Sequence, residues 1–103
     1  MIEIIFKTKD SRIAGFSVTG HANTAPHGHD IVCAGVSALT QTALLGLGEH
    51  LKKNIDYKAE SGDLFLSLKD EPDELTDAIL KTMRLGLNEI AKLYPKIVKI
   101  KEG

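Results

Sequence analysis

The stretch Gly20–Leu39, GHANTAPHGHDIVCAGVSAL, organises the whole chain. Its first ten residues include two glycines, Asn23 and Pro26, a composition that sustains neither a helical nor a strand period, so they read as a loop. From Ile31 to Gly48 no charged residue occurs, and this run reads as an apolar helix extending to about Lys53. Asp30 is placed to cap that helix, offering a carboxylate to a free backbone N–H of the first turn. The same stretch holds the only cysteine, Cys33, and three of the four histidines, His21, His27 and His29.

Upstream, residues 2–8 alternate Ile2, Ile4 and Phe6 against Glu3, Ile5 and Lys7, the period of a strand with one apolar face. Lys9-Asp10-Ser11 is a tight turn, and residues 12–19 form a second strand with Ala14, Phe16 and Val18 on one face. Downstream, Ile55, Tyr57 and Ala59 mark a third strand, Ser61-Gly62-Asp63 a hairpin turn, and Leu64, Leu66 and Leu68 a fourth strand. Glu71-Pro72-Asp73-Glu74 opens a second helix, with Pro72 at its first position. Leu75, Ile79, Met83, Leu87, Ile90 and Tyr94 recur at helical spacing until Pro95, and Lys96–Lys101 is a final short strand. The expected fold is α+β, a single-layer mixed sheet with two helices in the order β-β-α-β-β-α-β, forming one domain over residues 1–103. The uncharged first helix should be buried on more than one side, with Ala34, Gly35, Ser37 and Ala38 small enough to admit another backbone.

The apolar fraction of 43% and charged fraction of 26% are those of an ordinary soluble protein. A net charge of −1 gives no basic field for direct nucleic-acid binding. One cysteine makes no internal disulfide, and Met1–Phe6 lacks the basic and apolar regions of a secretory signal, so a cytoplasmic location is expected. Gln41, Ser37, Thr40, Thr42 and three glycines interrupt the run after Ile31, so a buried helix is expected there rather than a membrane span.

With Asp30 as cap, Cys33 is the third residue of the helix. Unpaired N–H groups and the positive end of the helix dipole there lower a thiol's pKa and can hold an oxyanion. A general base is needed as well. His21, at the rigid end of the second strand, is preferred to His27 and His29, which lie within the loop. Other readings of the same residues stay open. Cys33 can be a small buried hydrophobe in a non-enzymatic module, and His21, His27, His29 and Cys33 can be metal ligands, although their spacing matches no zinc motif. His50, near the end of the first helix, suits its negative end.

Gly20-His21-Ala22, then Gly28-x-Asp30-Ile31-Val32-Cys33-Ala34, then Val36-Ser37-Ala38-Leu39 resemble the signature of the bacterial ribosomal-processing cysteine protease family, Prp. The resemblance covers the chain from Met1 to about Lys101, and its diagnostic residues all lie in the first half. It implies a small protease that removes the N-terminal extension of a large-subunit ribosomal protein precursor of the bL27 type, cutting after an aromatic residue. It also implies a homodimer that works without metal or other cofactor. By position, Cys33 is the nucleophile and His21 the base, with Asp30 and Ser37 in supporting places. Gly20 and Gly28 bracket the loop, which would act as a lid. The alternative is a ribosome-associated assembly module in which Cys33 is only core.

Overall fold

A computed structural model describes residues 1–20 and 29–103, with the backbone alone for His29 and Asp30. The alternating pattern at the N-terminus forms β1 (Ile2–Lys9), whose Ile2, Ile4 and Phe6 are buried. A two-residue turn, Asp10-Ser11, leads to β2 (Arg12–Thr19), with φ of 52° and 69° at those residues. Two successive left-handed residues match the twist of a hairpin. The pairing of β1 with β2 slips between Lys7 and Thr8. The bulge turns Ile13 into the core beside Phe16, at 0% and 2% exposure. Ala14, expected on the core face by simple alternation, is only partly buried.

The helix α1 (His29–Leu45) runs directly into a π-helical turn, Gly46–His50. Helical pairing therefore begins one residue before Asp30, which places Asp30 inside the first turn rather than at the cap. Cys33 is accordingly the fifth helical residue and not the third. The helical turns end at His50, short of Lys53. Strands β3 (Ile55–Glu60) and β4 (Asp63–Leu68) form the second hairpin around Ser61-Gly62. The second helix, α2 (Glu74–Leu93), starts after Asp73, so Pro72 sits just outside it. Asp73 accepts from the N–H of Thr76, and the Thr76 hydroxyl accepts from the N–H of Asp73, both at 2.9 Å. This reciprocal cap meets two donors the helix cannot satisfy itself. Lys53 adds an ion pair to Asp73 at 2.7 Å, and the bond from Lys53 holds the Asp73 carboxyl down at about 2. The chain ends in β5 (Val98–Glu102).

The five strands are ordered β3-β4-β2-β1-β5, with β1 and β5 parallel and the other neighbours antiparallel. The architecture is thus the α+β mixed sheet with two helices, in the element order the sequence indicates. Val32, Val36, Thr40, Ala43 and Leu47 of the first helical segment and Thr76, Leu80, Met83 and Leu87 of α2 bury their rows in one core with β1, β2 and β4. The helices come close through glycine: a Cβ at Gly86 would meet Leu39 at 3.0 Å, and one at Gly35 would meet Ile90 at 3.3 Å. Asp77 ties α2 to β2 by accepting the N–H of Ile13 at 3.0 Å.

The first helical segment is less covered than its composition suggests. Ile31–His50 is long and apolar enough to cross a membrane by length and composition, and only 28% of it is buried. Ile31 is 71% exposed and Leu45 56%. Among the described residues, α2 and the sheet cover only one side of the helix.

Candidate active site

Cys33 stands on the side of α1 turned away from α2, half-buried against the edge of the core. The adjoining cavity of about 400 Å³ lies between α1 and the tip of the β3–β4 hairpin. Its floor is apolar, made by Ile2, Val18, Leu64 and Val36. One wall is α1, through Cys33, Ser37 and Gln41; the other is the hairpin end from Ala59 to Asp63. Residues 33, 37 and 41 are four apart, so they stack on one helix face. Helical side chains lean toward the N-terminus, so the Cys33 sulfur lies toward the turn whose backbone N–H groups have no intrahelical acceptor. Free donors of that kind suit a developing oxyanion.

Gly20 also lines the cavity. Its φ is +96°, and a Cβ there would lie 2.1 Å from the Met1 carbonyl oxygen. Its N–H donates to the Gly62 carbonyl at 3.0 Å. Only glycine fits this conformation and this gap, so Gly20 fixes where the chain leaves β2 and anchors the hairpin tip beside it. At the mouth, Lys58 pairs with Asp63 at 2.8 Å and reaches Glu60 at 3.8 Å. The bond to Asp63, and then its charge, raise the Lys58 pKa.

The structure therefore gathers Cys33, Ser37 and Gly20 around one cavity. His21, His27 and Gly28 lie outside the described residues, as do the side chains of His29 and Asp30 and the lid expected between Gly20 and Asp30. Among the described residues no three His, Cys, Asp or Glu side chains form a metal-binding group. Sequence reading missed Gln41 and the apolar floor. Gln41 was discoverable, since it continues the Cys33–Ser37 spacing by one more turn. Ile2, Val18 and Leu64 come from three strands and carry no local signal.

A two-helix α+β layer sets a half-buried thiol on the wall of a cleft. The sequence matches the family model described as Cysteine protease Prp over residues 1–99, and the chain belongs to that family; it is a cysteine protease. It is 29% identical to the ribosomal processing cysteine protease Prp of Staphylococcus aureus over 94 residues, 88% of each chain. A shorter match, 54% over 35 residues, links it to the Bacillus subtilis protein of the same name, covering 34% of this chain and 31% of that one. Its fold matches a crystal structure of S. aureus Prp in complex with a substrate peptide at a TM-score of 0.89, with 24% identity and full coverage of both chains. The crystal structure of SMU.848 from Streptococcus mutans matches at 0.86, with 25% identity, over 99% of this chain and 93% of that one.

Proposed function

We propose that Cys33 is the nucleophile and His21 the general base of an endopeptidase that removes the N-terminal extension of a large-subunit ribosomal protein precursor of the bL27 type. One observation carries the reading: the only cysteine of a chain in a cysteine protease family lines a peptide-sized cleft. The names of the S. aureus and B. subtilis relatives support a ribosomal substrate. In this mechanism His21 takes the Cys33 proton and the thiolate attacks the scissile carbonyl. Free N–H groups of the first α1 turn hold the oxyanion. The tetrahedral intermediate collapses as His21 protonates the leaving amine, giving a thioester. Water, deprotonated by His21, then releases the acid and restores the thiol. Ser37, one turn beyond Cys33, leaves its hydroxyl open toward the cleft, and Asp30 lies in the turn that supplies the oxyanion donors. The apolar floor suits an aromatic side chain next to the scissile bond.

The same reading has the enzyme acting in the cytoplasm as a homodimer. Ile31, Ala38, Thr42 and Leu45 of α1 and Leu75, Ala78, Thr82 and Leu85 of α2 form two rows without charge, and the groove between the helices is lined by Ala38, Leu39, Thr42, Ala78 and Ile79 among others. An apolar face of this kind suits a second copy of itself. The test of the activity is incubation of the ribosomal protein precursor with the enzyme and with Cys33→Ala and His21→Ala. Loss of cleavage in both supports the dyad; full cleavage by either removes that residue from it. Sedimentation of Leu75→Glu/Leu85→Glu tests the dimer, which the double variant should break.

A further inference from the structure

We infer that Gln41 is a specificity-determining residue, reading the substrate about three to four residues from the scissile bond. Within α1 the side chains of Cys33, Ser37 and Gln41 form a row along the cavity wall, in a helix uncharged from Ile31 to Leu45. Ser37 and Gln41 are exposed to the cleft, and their side chains have no hydrogen-bond partner among the described residues. Thr40, also in this wall, is different: it is buried, and its hydroxyl donates to the Val36 carbonyl at 2.8 Å. So the polar groups in this wall divide into one satisfied by its own helix and two left open toward the cleft.

The helix rise sets the distance. Eight residues at about 1.5 Å each place Gln41 about 12 Å along the axis from Cys33. An extended peptide advances about 3.3 Å per residue, so 12 Å corresponds to three or four substrate residues. A peptide with its reactive carbonyl at Cys33 that lies along α1 therefore passes Ser37 first and then Gln41. The opposite wall, from Ala59 to Asp63, keeps it against this row. Gln41 carries both an amide donor and an acceptor, so it suits a backbone amide or a carboxamide side chain at that distance. The inference rests on Cys33 being the nucleophile.

The experiment measures kcat/KM for wild type and Gln41→Ala on a full-length cleavage peptide and on peptides trimmed one residue at a time from each end. Glu49→Ala, an exposed residue of the π-helical turn that lines neither the cleft nor the groove between the helices, is the control. Losing one peptide hydrogen bond should lower kcat/KM for Gln41→Ala about fivefold on the long peptide. That difference should vanish once trimming from one end removes the third and fourth residues from the cut, while Glu49→Ala stays at wild-type activity throughout. Equal activity of Gln41→Ala and wild type on the long peptide overturns the inference, as does a deficit that persists on the shortest cleavable peptide. A Cys33→Ala variant that still cleaves would instead overturn the nucleophile assignment, so the two failures are separable.

Discussion

Replacing Gly20 by alanine tests how the site end of the sheet is built. Two effects add. An L-residue at φ +96° costs about 1–2 kcal/mol. The new Cβ would also start 2.1 Å from the Met1 carbonyl oxygen and 3.2 Å from its carbon, both backbone atoms that cannot rotate away. Relief requires β2 and the start of β1 to part by more than an ångström. That movement breaks the Gly20–Gly62 bond of 3.0 Å, a further loss of about 1 kcal/mol. The sum is about 2–3 kcal/mol, which for a domain of this size lowers Tm by roughly 10–20 °C. Thermal unfolding followed by circular dichroism measures it. Gly20→Asn separates the two effects, since asparagine tolerates positive φ but brings the same Cβ; it should recover about 1 kcal/mol of the strain and keep the rest of the loss. A Tm within about 2 °C of wild type for Gly20→Ala would refute the close-approach argument, and full recovery by asparagine would show that conformational strain alone was at work.

Three further outcomes are expected. Asp77→Ala leaves the N–H of Ile13, a fully buried residue, without its acceptor and should cost about 1–3 kcal/mol in chemical denaturation; Asp77→Asn keeps an acceptor, so an equal loss in the two variants would contradict this. Ser11→Gly, at φ 69° in the first hairpin, should stabilise by about 1 kcal/mol, and an unchanged or lowered midpoint would count against the turn geometry. Because the Asp73 carboxyl is held at about 2 against its usual 3.8, its contribution is complete above pH 3.8 and is lost as pH falls through 2; Asp73→Asn, which keeps the capping acceptor, should flatten the acid limb of a stability–pH profile in that window, and an unaltered limb would remove the Lys53 pair as its cause.

The faces of the strands were legible because side-chain direction alternates strictly, so Ile2, Ile4, Phe6, Leu64 and Leu66 announced the core. The bulge was not, since a slip between Lys7 and Thr8 depends on how two strands pair and leaves no mark in either alone. Helix starts were misplaced by a residue or two, because Asp30 and Pro72 each have plausible roles at adjacent positions. The lack of charge after Ile31 marked the helix but not its surroundings: the same composition suits burial, an interface or a span. At the cavity, Cys33 was visible by type and helix position, and Ser37 through the family signature. The cavity floor was not, because Ile2, Val18 and Leu64 meet only when three strands are side by side.

The most direct test of the account is the mass spectrum of the enzyme trapped during turnover of the ribosomal protein precursor. Acid quenching should capture a covalent adduct with the mass of the released extension as a thioester, and fragmentation should place it on Cys33. An adduct on any other residue, or cleavage of the precursor by Cys33→Ala at the wild-type rate, would contradict the central claim.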